Sequence, residues 1–315
     1  MITAAVIGAD GMIGRKLVAR LLADGTIGGK PLGRLIVSDI REPALPPSSV
    51  EVVPLIGDMS TPEMAERLAA SRPEIVFHVA ATFMGQADLD FAAGYRINFF
   101  TVYAALEAFR RLGAAPRFVH ASSIGVYGPP FPALIDDDHP ARPDSSYGTQ
   151  KLMSEAVIGD YSRLGFIDGV ALRLPTIAIR PGPATHGNSG FFSNIIREPL
   201  EGRRALLLAT DDVRHWIASP QSAIGYLLHA ATIDLAPLGA DRALVMPGLA
   251  VSVADELAAL RNVAGPAALD LIDREPRYHP EDFPAAFAAT RAVDLGFQPA
   301  ETSFADIVAM YLAER

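Results

Sequence analysis

Through its first half the chain alternates short runs of β-branched and other apolar residues with longer segments of helical periodicity, and few folds accept that pattern. The runs are TAAVIGA, RLIVSDI, EVVPLIG, EIVFHVA, RFVHASS and GVALRL. Their near-continuous apolar character suits strands buried on both faces, as in a parallel sheet covered by helices. Between them, MIGRKLVARLLADG turns Met12, Leu17, Leu21 and Leu22 toward one face, and NFFTVYAALEAFRRLG carries Phe99, Val102, Leu106 and Phe109 before stopping at Gly113. The spacing predicts an α/β protein built on a doubly wound parallel sheet. After Arg173 the regularity breaks in PTIAIRPGPATHGNSG, a long Pro- and Gly-rich loop of the kind that lines a cleft. The remainder mixes helical patterns with short strands and predicts a smaller C-terminal lobe.

At 315 residues the chain can bury a large core. A net charge of −9 leaves no basic face for a phosphate backbone, so nucleic acid is not an expected partner. The absence of cysteine excludes disulfides, thiolate metal sites and a cysteine nucleophile, and fits a cytoplasmic location. Met1 to Ala5 lack a basic stretch and run straight into Gly8, unlike a signal peptide. No apolar run reaches the roughly 20 residues that a membrane helix needs, so no membrane partner is expected. The seven histidines show no paired-ligand spacing, and no metal site is expected.

Gly8, Gly11 and Gly14 fall directly between the first strand and the first helix. A glycine turn there exposes backbone amides and a positive helix end to a pyrophosphate, although the same glycines could simply make a turn. Met12 and Ile13 would present their amides, and Asp10 reads as a cap of the helix. Asp39 ends the next strand, where a carboxylate accepts from ribose hydroxyls and repels a 2′-phosphate, favouring NAD over NADP. Arg41 could instead sit over the adenine or admit that phosphate. Asp58, Ala80 and Ala81 follow the third and fourth strands, at the carboxyl ends where open α/β sheets bind ligands. In PDSSYGTQK, Ser145 or Ser146 can cap a helix that sets Tyr147 and Lys151 one turn apart. A neighbouring ammonium favours the phenolate, so Tyr147 could act as a general base. Ser122 and Ser123 end the fifth strand, where a hydroxyl could hold the reacting oxygen. Asn98 either supports the site by hydrogen bonding or caps its helix.

These residues resemble the extended short-chain dehydrogenase/reductases over nearly the whole chain. Gly8, Gly11 and Gly14 match that family's glycine motif, Asp39 its NAD-type acid, Asp58 its adenine contact, and Ser123, Tyr147 and Lys151 its catalytic trio. The resemblance implies a Rossmann domain over 1–172 and a mainly substrate-binding lobe over 173–315, with some segments returning to the Rossmann sheet. It implies NAD as cofactor, held by Gly8, Gly11, Met12, Ile13, Gly14, Asp39, Asp58, Met59, Ala80, Ala81, Asn98, Tyr147, Lys151 and Pro175. It further implies a homodimer formed through helices 98–112 and 147–164. Where nucleotide-sugar epimerases of the family carry an asparagine after the sixth strand, this chain has Thr176, and VRHWIASP keeps Arg214 without the usual Asp-Tyr or Asp-Phe.

A small sugar acid needs a cation for its carboxylate, and arginine binds a carboxylate in two-pronged fashion. Arg180 and Arg214 are the expected cations, with Ser123, Tyr147 and Thr176 on the hydroxyls. Arg173 reads as a structural tie. His186, Asn188 and Asn194 could face a polyol, His215 and Trp216 could shape the cleft, and Met84 and Gln86 lie where the family's substrate loop passes. The resemblance implies NAD-dependent oxidation of the C2 hydroxyl of an erythronate-like aldonate to the 2-oxo acid. The alternatives are a nucleotide-sugar epimerase or dehydratase that retains its NAD, and a non-catalytic NAD-binding sensor or scaffold.

Overall fold

The apolar runs of the first half form the strands expected of them, in a computed structural model that describes residues 1–82, 84–182 and 189–314. In chain order the elements are β1 (Ile2–Ile7), α1 (Met12–Asp24), β2 (Thr26–Ile27), β3 (Lys30–Asp39), β4 (Glu51–Ile56), α2 (Pro62–Ala70), β5 (Ile75–His78), α3 (Met84–Leu89), α4 (Phe91–Tyr95), α5 (Thr101–Leu112), β6 (Arg117–Ser123), α6 (Ser146–Arg163) and β7 (Asp168–Leu174). Strand β1 lies in the middle, parallel to β3 on one side and to β5 on the other, with Ala4 opposite both Leu35 and Ile75. From there the sheet continues through β6, β7 and Ala243–Val245 on one flank, while β4 pairs with β3 on the other. The chain thus winds outward twice from β1, and the switch of direction leaves a crevice at the carboxyl ends of β1 and β5.

Local chemistry ends the helices where the sequence suggests. Gly113 takes a left-handed φ of 67° that closes α5, a conformation glycine adopts without steric cost. Ser145 caps α6 by accepting from the Gly148 amide at 3.1 Å. One face of the sheet buries Ile7, Ile36, Val76 and Phe118 against Leu68, Val102, Leu106 and Phe109, each side chain contributing about 1.5–3 kcal/mol of apolar burial. These elements belong to a first compact unit made of 1–126, 145–173 and 226–244.

A second unit comprises 127–144, 174–225 and 245–315. It holds a three-stranded sheet in the order Leu249–Ser252, Arg214–Ala218, Thr176–Ile177, and a two-stranded parallel ribbon of Ile272–Tyr278 with Ala205–Ala209. Its core packs Phe191, Phe192, Ile195, Leu207, Ile217, Leu260 and Ile307 together. Buried Glu301 fastens this unit by accepting from the Ser219 amide at 2.9 Å and the Ser222 hydroxyl at 2.6 Å. Among the described residues no helix is long and apolar enough to cross a membrane. Nor does any group of three or more His, Asp or Glu side chains among them stand ready to hold a metal ion.

Candidate active site

The glycine turn sits at the crevice, and its glycines are not interchangeable. Gly8 has φ +90°, and a Cβ there would lie 2.5 Å from the Ala80 amide nitrogen. A Cβ on Gly14 would lie 1.9 Å from the Gly8 carbonyl oxygen, so the start of α1 packs directly on the end of β1. At Gly11 a Cβ would meet only that same carbonyl oxygen, at 3.3 Å, leaving its outer side open. The amides of Met12 and Ile13 open α1 and have no partner within the helix. An anion cradle with a small-residue floor at Ala80 and Ala81 fits a dinucleotide pyrophosphate.

The acids nearby are positioned by backbone. Asp39 accepts from the amides of Asp10 at 2.8 Å and Ile40 at 2.7 Å. Asp58 accepts from the Ser60 amide and hydroxyl at 3.0 and 2.7 Å and lies 3.8 Å from Arg96. The expected helix cap at Asp10 is corrected. Gly11 occupies the cap position with no side-chain bond, and Asp10 instead pairs with Arg15 at 2.7 Å and Arg41 at 3.0 Å. The reason is geometric: Asp10 lies one residue too early, and two guanidiniums lie within its reach. The Met59 side chain is buried in the core cluster that also holds Met64 and Leu68.

Asn98 occupies a π-helical turn, Arg96–Phe100, between α4 and α5. It is fully buried, accepts from the Thr82 amide at 2.9 Å and donates to Gln150 at 2.6 Å. Of its two expected roles, the hydrogen-bonding one is realised: it ties the loop after β5 to α6. Met84 begins α3, and Gln86 within it accepts from the Thr82 hydroxyl at 3.0 Å.

Ser123, Tyr147 and Lys151 all lie in the first unit. Strand alternation separates the two serines. Ser122 is buried and donates to Glu155 at 2.5 Å, whereas Ser123 is half-buried and accepts from the Gly125 amide at 3.0 Å. The Lys151 ammonium lies 5.8 Å from the Tyr147 ring centroid and donates to the Ala121 carbonyl at 2.8 Å. Burial lowers Lys151 from 10.5 to about 7, against a raising influence from Glu155. Near neutral pH this amine can therefore hold or release its proton.

Two buried histidines and a glutamate complete this centre, and the sequence reading passed over them. Thr101 donates to the Ile97 carbonyl at 2.7 Å, so its oxygen accepts from His78 Nε2 at 2.8 Å. His78 Nδ1 then accepts from His120 Nδ1 at 3.3 Å, which leaves His120 Nε2 as an acceptor without a partner among the described residues. Burial, reinforced by the charge of Lys151, lowers His78 to about 3 and pushes His120 well below 6.5. Glu155 sits one turn beyond Lys151 and takes Arg173 in two-pronged fashion, with Nη2 at 2.7 Å and Nε at 3.1 Å. The signal was present as polar residues in apolar strands, VFHVA and RFVHASS, and as a polar buried stripe on α6 of Gln150, Lys151, Ser154 and Glu155.

In the second unit, Thr176 lies 2.5 Å from His215 Nε2, and the imidazole stacks on Phe192 with ring centroids 4.9 Å apart. Burial, then the Arg180 charge, lowers His215 to about 3, so it is a neutral partner of Thr176. Arg180 donates to the Ile177 carbonyl at 3.0 Å, and Arg197 holds Asn194 at 2.8 Å. Arg214 is exposed on the strand face opposite His215; hydrogen bonds from Ser252, and to a lesser extent the Arg214 charge, lower Asp255, and Thr176, Arg180 and His215 gather without it. Trp216 donates to the Met246 carbonyl at 3.1 Å and is packing. Pro175 is buried between β7 and Thr176–Ile177. His186 and Asn188 lie outside the described residues.

A doubly wound sheet alone serves many ligands. With the glycine turn at its switch point and a tyrosine and lysine one turn apart beside a strand-end serine, it defines the extended short-chain dehydrogenase/reductase class, which works with a nicotinamide cofactor. The chain belongs to the NAD dependent epimerase/dehydratase family, matched over residues 4–234, and is an NAD-dependent oxidoreductase. It is 39% identical to a D-erythronate dehydrogenase of Cupriavidus necator, over 98% of this chain and 97% of that one. It is 32% identical to a D-erythronate dehydrogenase of Haemophilus influenzae, over 97% of each. A crystal structure described as the nucleoside-diphosphate-sugar epimerase from Agrobacterium tumefaciens superposes with a TM-score of 0.94 at 45% identity, covering 100% of this chain and 94% of that one.

Proposed function

We propose that the protein oxidises the C2 hydroxyl of D-erythronate, or of a closely similar aldonate, to the 2-oxo acid. The observation that carries this reading is the reach of the likeness. The two D-erythronate dehydrogenases match 98% and 97% of the chain, and so include the second unit, where Thr176 and Arg180 stand.

Bound NAD supplies the two-electron acceptor for the hydrogen leaving C2. In the proposed step the Tyr147 phenolate takes the hydroxyl proton while the C2–O bond gains its second component. The Lys151 ammonium favours that phenolate and holds the nicotinamide ribose, and the Ser123 hydroxyl donates to the reacting oxygen. Gly8, Gly11, Gly14 and the amides of Met12 and Ile13 receive the pyrophosphate, Asp39 the adenosine ribose and Asp58 the adenine. Ala80, Ala81, the backbone of Met59 and Pro175 line the cofactor, and Asn98 holds their loop in place. Arg180 pairs with the substrate carboxylate, and Thr176, oriented by His215, donates to a hydroxyl. Arg214, exposed on the other strand face, has no part in this assignment.

We further propose a cytoplasmic homodimer paired through α5 and α6, on the strength of the family resemblance and of exposed Phe100 and Tyr103. A second reading, a nucleotide-sugar epimerase that retains NAD, draws on the description of the Agrobacterium tumefaciens structure.

The Tyr147→Phe variant tests the chemistry. NADH formation from D-erythronate should fall about 10²–10⁴-fold, with NAD binding, followed by calorimetry, unchanged. A variant that keeps most of its turnover would contradict the assignment of the base.

A further inference from the structure

Arg41 stands two residues beyond Asp39, the carboxylate that receives the adenosine ribose. Its side chain is 76% exposed. A free guanidinium at that point of a doubly wound sheet is a ready partner for a 2′-phosphate, which would open the site to NADP. Arg41 is not free. Its Nη2 lies 3.0 Å from Asp10 Oδ2, and Arg15 takes the other oxygen, with Nη2 at 2.7 Å and Nε at 2.9 Å.

Asp10 is suited to hold both cations. Its side chain is only 7% exposed. Its own amide donates to Asp39 Oδ2 at 2.8 Å, so Asp10 is tied through its backbone to the acid that receives the ribose. A phosphate approaching the ribose 2′ position would therefore meet the Asp39 carboxylate, with both neighbouring guanidiniums already engaged by Asp10. Desolvating and detaching Arg41 to reach that phosphate would cost the bond it already has.

We propose that Asp10, a residue of the glycine turn outside its glycines, is a selectivity residue that excludes NADP by restraining Arg41, with Arg15 on its second oxygen. Asp39 repels the 2′-phosphate directly, and Asp10 withholds the cation that would compensate. The inference rests on NAD binding at the glycine turn, which the unmodified protein reports independently.

Calorimetric titration of 2′,5′-ADP and of NAD, with no turnover required, tests it on the intact protein. Asp10→Asn and Asp10→Ala should each bind 2′,5′-ADP about tenfold or more tightly than the parent, with NAD affinity unchanged. Adding Arg41→Ala to Asp10→Asn should remove that gain. Unchanged 2′,5′-ADP binding in variants that still bind NAD would overturn the proposal, as would a gain that survives the loss of Arg41. Loss of NAD binding in both single variants would also overturn it, by making Asp10 part of the NAD cradle itself. A parent that binds no NAD would instead strike at the cofactor site as a whole.

Discussion

Lys151 carries a cost that its chemistry explains. Its amine is buried and sits near 7 instead of 10.5. Between those values the unfolded chain binds a proton that the folded chain does not, so stability rises with pH across that window. Removing the amine in Lys151→Met removes the penalty. The variant's advantage in denaturation midpoint over the parent should be largest at and below pH 7 and shrink toward pH 10, and a constant gap would contradict it. His78 acts in the same direction at lower pH. It is neutral in the fold down to about 3, so stability is lost as pH falls from 6.5. The pairing of Tyr147 with Lys151 was legible in the sequence because helical periodicity joins them, which needs no tertiary knowledge. Asp10 with Arg41, and His120 with His78, were not, because each pair meets only when separate strands and loops are brought together.

At the scale of elements, α6 shows why the site holds its shape. Its buried stripe is polar, and each polar group has a purpose: Gln150 takes Asn98, Lys151 takes the Ala121 carbonyl, and Glu155 joins Ser122 to Arg173. The Glu155 and Arg173 side chains are only 4% and 12% exposed. Breaking such a pair from one side strands a buried charge, so Arg173→Met should lower the unfolding free energy by about 3–5 kcal/mol in urea titration. A loss under about 1 kcal/mol, the range of a surface pair, would show that Glu155 is satisfied without Arg173. The six strands were readable because apolar, β-branched runs need a sheet whatever surrounds them. The π-helical turn at Asn98 was not, since an extra residue in a helix leaves no pattern in composition. Nor was the strand Ile272–Tyr278, whose sequence IDREPRY is charged and mostly exposed and finds its partner through backbone bonds, with Asp273 pairing to Arg204 and Arg274 to Asp211.

At the scale of the molecule, the chain contributes three segments to each compact unit. Residues 226–244 join the first and 127–144 the second. Such returns depend on long-range packing, which local periodicity does not record. The chemistry-bearing residues divide between the units. Apart from Pro175, the proposed cofactor and proton-transfer residues lie in the first, while Pro175, Thr176, Arg180 and His215 lie in the second. Arg180→Met should therefore raise KM for D-erythronate while leaving NAD affinity unchanged, as steady-state kinetics with calorimetry would show; equal loss of both would contradict the division of roles. For the proposed dimer, light scattering should report the mass of two chains, and Tyr103→Glu should shift it to one.

The proposed reaction is net oxidation of a sugar acid, with the cofactor released reduced. Incubating the purified protein and NAD with D-erythronate and, separately, with UDP-glucose, while following NADH absorbance and the products, tests it most directly. NADH and a 2-oxo acid should form in equal amounts from D-erythronate, with no NADH from the nucleotide sugar. Interconversion of UDP-sugar epimers with no NADH from any aldonate would contradict it.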